Sequence, residues 1–287
     1  MRQIEMIING DDFGISEEVN EAIIRAHRNG ILTSCSLMVT GDSFEQAVRL
    51  AKENENLAVG LHLVTVQGRA VLAPSDIPSI VDKDGYFSDD PTVAGVKYFF
   101  LERARRELKQ EIGAQFAKFA ATGLHFSHVD SHLHMHINPT IFSTVLGYCR
   151  RYRVNRMRVP NDDFGIVYRV DWSTALKNAP TALIFNLLCR YMRKRLREEE
   201  FIFTERVYGH FFTGRISESV VLRMLAHIRA ATNEFYFHPA IPREGRLPNG
   251  TLIQCKREFD IMVSRKVQKR IFELGFKLTT YPALSSR

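Results

Sequence analysis

Five residues in a stretch of nine are of types that hold metals or move protons: His128, Asp130, His132, His134 and His136, in the run His-Val-Asp-Ser-His-Leu-His-Met-His. They occupy every second position, and alternate side chains of a β-strand share a face. The spacing predicts a face of four imidazoles and one carboxylate, with Val129, Leu133 and Met135 on the other side. Such a face packs poorly and suits a metal. Same-face neighbours on a strand stand roughly 6–7 Å apart, so a single ion reaches one or two of them. The remaining ligands must come from elsewhere in the chain.

Suitable residues stand at the ends of other apolar runs. Asp11 and Asp12 follow the run 4–8, His62 closes Leu57–Leu63, Arg158 closes 155–159, and His238 follows Phe235-Tyr236-Phe237. Taken singly, paired Asp residues are a turn or a cap, a strand-end His is a hydrogen-bonding group, and an Arg before Val-Pro is an ion pair. Gathered on one rim they would form a site. A carboxylate and two imidazoles can hold a divalent ion and leave positions open for water and substrate. A neighbouring carboxylate can then take a proton from water, and a His can protonate a leaving group.

The elements that would position these groups alternate along the chain. Strands are expected at 4–8, 33–39, 57–63, the His-rich run, 155–159, 205–211, 235–237 and 276–280. Helices are expected from Ser16 to about His27, at 43–54, 96–121, after Asn138-Pro139, within 161–200, at 216–230 and at 259–274. Alternation of this kind predicts an α/β class with a mainly parallel sheet. Seven or eight units suit a barrel. The doubly wound alternative lacks a GxGxxG after the first strand. Segment 64–94 is long enough to be a functional loop or lid, and 241–257 is expected to shape specificity. Residues 161–204 break the rhythm and read as a helical insertion on a single domain spanning 1–287. It ends in Arg190, Arg193, Lys194, Arg195 and Arg197. A core-packed helix with a solvated basic tip is the ordinary reading. The sharper one is contact with an anionic membrane, or a groove for a lipid tail.

The composition, 45% hydrophobic and 25% charged over 287 residues, is that of a soluble globular protein. Four scattered cysteines without a CxxC pair argue against a disulfide framework and fit a reducing cytosol. No signal peptide or membrane span is evident, so a cytoplasmic location is expected. The net charge of +7 fits nucleic acid, an anionic surface or simple solubility. No nucleic-acid-binding motif accompanies it, so no nucleic acid is expected as partner. A homodimer is left open.

Four segments, Asn9-Gly10-Asp11-Asp12-Phe13-Gly14, Gly60-Leu61-His62-Leu63, the His-rich run and His238-Pro239, resemble the YdjC-like carbohydrate deacetylases, which include the chito-oligosaccharide deacetylases. The likeness runs in order from residue 4 to about 280, and its nearest branch is the hopanoid-biosynthesis-associated one (HpnK). The resemblance implies a distorted (β/α) barrel of the polysaccharide-deacetylase kind. It places magnesium or zinc on Asp12, His62 and His132, and makes Asp11 the general base, Arg158 its orienting partner and His238 the acid. His128, Asp130, His134 and His136 are left to bind substrate or support the ligands. The implied activity removes acetyl from an N-acetylglucosamine-type sugar, in that branch an N-acetylglucosaminyl hopanoid. Gly10 stands where Ala is common and Ala240 where Gly often follows His-Pro. Other readings are a metallo-phosphoesterase or different amidohydrolase, with His134 and His136 serving a second ion, and a non-enzymatic nucleic-acid binder.

Overall fold

The computed structural model describes residues 3–242 and 252–284. Its first strand, β1 (Glu5–Phe13), starts as the apolar run Met-Ile-Ile but does not stop there. It continues through Asn9, Gly10, Asp11 and Asp12, and every residue after Glu5 is buried. Helix α1 (Glu17–Asn29) starts at Ser16, whose hydroxyl accepts from the Val19 N–H, with Glu17 and Glu18 in its first turn. The chain then runs β2 (Ser34–Leu37), α2 (Phe44–Lys52), β3 (Ala58–Leu63), α3 (Pro91–Phe100), α4 (Glu102–Ala121), β4 (Val129–Ser131) and α5 (Pro139–Arg151). It continues through α6 (Phe164–Val170), α7 (Trp172–Glu198), β5 (Arg206–Tyr208), α8 (Glu218–His227), β6 (Thr232–Phe237), α9 (Leu252–Val263), α10 (Arg265–Glu273) and β7 (Lys277–Leu278).

The described strands form one seven-stranded sheet in the order β4-β3-β2-β1-β6-β5, with β7 paired to β1, and every pairing is parallel. β7 takes the edge of β1 at Glu5 and Met6, and β2 takes over that edge from Asn9 onward. Residues 155–159, expected as a strand, make only isolated bridges. Arg158 donates its N–H to Val129 on one side, and Met157 and Ile202 exchange with their neighbours on the other. Val207 donates to Asn161. These single bonds link β4 toward β5 and curl the sheet into a distorted barrel. All strands point the same way, so their carboxyl ends share one rim.

Two expected elements are rearranged. The helix foreseen over 96–121 is two helices, broken at Leu101, and that foreseen over 259–274 is α9 and α10, broken at Ser264. Segment 64–90 is stapled to α4. Glu111 accepts from the N–H groups of Val71 and Leu72, and Glu107 accepts from that of Ser79. Residues 243–251, most of the segment expected to shape specificity, lie outside the described residues.

Candidate metal and catalytic site

The His-rich run is not one strand. β4 ends at Ser131, and His132–Ile137 coil into a 3₁₀ turn in which Leu133 and His134 take positive φ, 50° and 55°. The alternating face therefore does not exist. Its residues are dealt to different neighbours, because the chain leaves the sheet one residue before His132.

His132 turns into the rim. Its Nδ1 stands 3.1 Å from Asp12 Oδ1, and His62 Nε2 stands 3.3 Å from the same oxygen. One candidate ligand atom from each of Asp12, His62 and His132 lies within 4.8 Å of the others. The second nitrogen of His62, Nδ1, meets Asp130 Oδ1 at 2.7 Å. A carboxylate behind an imidazole in this way fixes the tautomer and aims the free nitrogen at a metal.

The two adjacent aspartates reach the same site because β1 is irregular there. Gly10 pairs with Cys35 and Phe13 with Leu37, so three steps along β1 match two along β2. Such a bulge re-aims side chains that would otherwise alternate. Asp12 sits at φ 65°, a conformation uncommon for a residue with a Cβ and one that clusters at functional sites. Close approach also explains Gly60: a Cβ there would stand 2.4 Å from the His128 ring.

Asp11 is held from behind. Arg158, fully buried, donates Nη1–H and Nη2–H to its two oxygens at 2.8 Å each, and Asn9 Nδ2 donates to Oδ1 at 2.7 Å. The same guanidinium meets Asp130 Oδ2 at 2.7 Å and Glu234 Oε1 at 2.6 Å. Tyr281 donates to the other Glu234 oxygen. Ser36 gives its proton to Asp130 and accepts from Asn9, so His128 Nε2, 3.1 Å away, must be a donor to it. His128 also stacks on Tyr281 and sits below the rim as support.

This cluster is electrically unbalanced. Asp11, Asp12, Asp130 and Glu234 are buried, with one buried guanidinium among them. Burial alone would lower the pKa of His62, but the charge of Asp130 and hydrogen bonds with Asp12 and Asp130 raise it to about 10. Burial would raise Asp12, yet the adjacent His132 and His62 hold it well below the usual carboxylate range. A pocket that stabilises positive charge this strongly, with one carboxylate and two imidazoles converging, fits a divalent cation. Asp11, His62 and Asp130 also approach within the same limit. Both oxygens of each carboxylate in that second group are already engaged by Arg158, Ser36, Asn9 or His62. The first group is the better cation site.

His238 follows β6 on the same rim. Its backbone N–H donates to Glu258 of α9, and its Nδ1 lies 3.8 Å from that carboxylate. Burial would lower its pKa, but the Glu258 hydrogen bond and the charges of Asp12 and Asp11 raise it to about 9. Ala240 is buried and donates to the Cys255 carbonyl, so this loop is tied to α9 without the glycine. His134 and His136 stand apart from the cation ligands. His136 is spanned by Ser131 Oγ and the Arg158 carbonyl, and burial lowers its pKa to about 4. His134 Nε2 meets the Tyr236 hydroxyl at 3.0 Å.

A cleft of about 690 Å³ opens over Asp11 and His238. Thr92 and Gly95 of α3 form one wall, and Ile184, Phe185 and Leu188 of α7 the other. His134, Tyr236 and His210 line it between them. Glu234, Tyr236, His210, Ser36, Glu258 and Tyr281 escape the sequence reading. Glu234, Tyr236 and His238 alternate along β6, the same period-two signal as the His-rich run, so two of them were detectable.

Residues 5–273 match the sequence profile of the family described as YdjC-like protein. The chain belongs to the YdjC-like family. It is 42% identical over 153 residues to a carbohydrate deacetylase of Brevibacillus brevis, a match covering 53% of this chain and 58% of that one. It is 39% identical over 149 residues to a carbohydrate deacetylase of Geobacillus stearothermophilus, covering 52% and 57%. These matches span little more than half the length of each relative. A carbohydrate deacetylase of Oceanobacillus iheyensis is 27% identical over 269 residues, covering 91% of this chain and 96% of that one. The fold of this YdjC-like chain is shared by a crystal structure from Enterococcus faecalis, provisionally named a cellobiose-phosphate cleavage protein. The TM-score is 0.76 at 24% identity, over 99% of both chains.

Proposed function

We propose that this chain is a metal-dependent hydrolase that removes the acetyl group from an N-acetylated amino sugar of the N-acetylglucosamine type. One observation carries the reading: Asp12, His62 and His132 converge beside an Asp11 that is clamped by Arg158. The chain's similarity to three proteins named carbohydrate deacetylases supports it. Asp12, His62 and His132 would hold the cation, magnesium or zinc. When bound, such an ion supplies Lewis acidity to the acetamide oxygen and makes a bound water more acidic.

The protein's own groups do the rest. Asp11 accepts a proton from the attacking water, in an orientation set by Arg158 and Asn9. His238 carries its proton at neutral pH and delivers it to the sugar nitrogen as the C–N bond breaks. Water adds across the amide, and acetate and a free amine leave. Phe185, Ile184 and Leu188 give the cleft an apolar wall suited to an aglycone, which favours a lipid-linked sugar such as a hopanoid conjugate over a free oligosaccharide. The barrel, with α6 and α7 as its insertion, acts as a single catalytic domain.

Acetate release from a panel of N-acetylglucosaminyl compounds, with and without chelator, tests this. Asp11→Asn should keep the metal and lose turnover by about 10²–10⁴-fold, whereas His132→Ala should lose both. Near wild-type rates in Asp11→Asn sink the base assignment. Two ions per chain by elemental analysis would favour a binuclear phosphoesterase or amidohydrolase instead, with Asp11, His62 and Asp130 as the second group.

A further inference from the structure

We propose that the open end of the cleft docks on an anionic lipid bilayer, with α3 and α7 as the two inserting walls. The inference stands on the surface of these helices and goes beyond the deacetylase reading. On α3, Val96, Phe99 and Phe100 are 53%, 46% and 68% exposed. On α7, Leu183, Ile184 and Leu187 are 65%, 58% and 57% exposed. Single exposed apolar residues need no explanation, but two helices that each present several, on opposite sides of one opening, do.

The apolar surface is continuous with the cleft. Thr92 and Gly95 line the opening on α3, and Val96 and Phe99 lie one turn further along the same face. Ile184 lines it on α7, and Leu183 and Leu187 are its neighbours on the outer side. Leu133, at positive φ in the turn between the walls, is also exposed.

Charge selects a bilayer as the occupant. Residues 91–101 carry Lys97 and no acidic side chain. Residues 172–197 carry Lys177, Arg190, Arg193, Lys194, Arg195 and Arg197 and again no acidic side chain. Asp89, Asp90 and Glu102 are exposed at the two ends of α3, and Asp171 caps α7. The cationic bias thus lies along α7, whose exposed Lys177, Arg190 and Lys194 beside its apolar residues match the anionic headgroups and acyl chains of a membrane surface. The contact is therefore not the basic tip of α7 as such. There Arg195 is paired with Glu198 and Glu199, and Arg150 also holds Glu199. Lys177, Arg190 and Lys194 are exposed and enter none of the described ion pairs. Docked this way, the cleft opens onto the headgroup layer, where a lipid-borne head could enter while its tail stays in the membrane. No helix of the described residues is long and apolar enough to cross the bilayer, so the contact is peripheral.

Flotation with phosphatidylcholine vesicles, with and without phosphatidylglycerol, tests the proposal on the intact protein. Wild type should float with the mixed vesicles and far less with phosphatidylcholine alone. The triple variant Phe100→Ser, Leu183→Ser, Leu187→Ser should partition at least about tenfold more weakly. Lys177→Glu with Arg190→Glu should abolish the preference for the anionic vesicles. None of these positions lines the cleft, so acetate release from a soluble substrate should be unchanged. That readout fails independently if only the deacetylase reading is wrong. Unchanged melting temperatures confirm that the variants fold. Equal vesicle binding by wild type and triple variant overturns the proposal. So does a lipid-free dimer, seen by light scattering, that the triple variant dissolves, because a second copy would then cover the face.

Discussion

The tetrapeptide Asp-Asp-Phe-Gly occurs twice, at 11–14 and at 162–165, and does different work in each place. In the first copy both aspartates are buried at the end of a bulged strand, Asp11 against Arg158 and Asp12 against two histidines. In the second copy Asp163 is a helix cap, its carboxylate accepting from the Ile166 N–H at the start of α6. Asp162 beside it is pushed up to about 7 by burial, with no cation among the causes. The same four residues thus hold charge in one setting and resist it in the other. Neighbours brought by the barrel make the difference. β1 lies at the centre of the sheet, with β6 and His238 on one side and His62 and His132 beyond β2 on the other. The second copy lies where the chain leaves the barrel for its helical excursion.

Substitutions that treat the two copies alike should expose this contrast. Asp12→Ala is expected to abolish stoichiometric metal binding and lower turnover by roughly 10³-fold or more, measured by elemental analysis and acetate release. The matching change in the second copy, Asp163→Ala, should leave both intact. Removing the counterion of the first copy is nearly as severe. Arg158→Met strands three buried carboxylates and should cost about 3–5 kcal/mol in a denaturant titration. A smaller loss would mean that the carboxylates take up protons instead.

The field of the first copy also reaches His238. Its folded pKa of about 9 lies above the ordinary 6.5, so the protonated form is favoured in the native state. The stability this contributes is complete below about 6.5 and fades as pH rises through about 9. On the proposed mechanism the rate should fall along an alkaline limb as well, because His238 would lose the proton it donates. Glu258→Gln should move that limb to lower pH; an unmoved limb would remove His238 as the acid. The smallest effect belongs to the second copy: loss of the Asp163 cap should cost about 1 kcal/mol, read as a modest drop in melting temperature.

Much of this site was legible in the chain. Asp11, Asp12, His62, His132, Arg158 and His238 each end or follow an apolar run, and strand ends of a parallel barrel share a rim by construction. The error over the His-rich run has a local cause. Period two is a property of a strand, and the sequence offers no signal that the strand stops at Ser131. The 3₁₀ turn that follows is stabilised by Ser131 and by contacts with Arg158 and Tyr236. These partners are close in space and unrelated in local pattern. The support beneath Asp11 was hidden for a similar reason: Glu234 and Tyr281 are far along the chain and join it through Arg158, the His128 ring and the register of β1 with β6.

Residue types and their order along the chain determined the α/β class, the parallel sheet and the roster of reactive groups, because hydrophobic periodicity and strand-end position are local properties. Tertiary structure alone decided three further matters: that a bulge turns two adjacent aspartates into one pocket, that a single guanidinium is shared by three carboxylates, and that two helices leave apolar faces beside the opening. Each depends on register, closure or exposure, which arise only when distant segments meet.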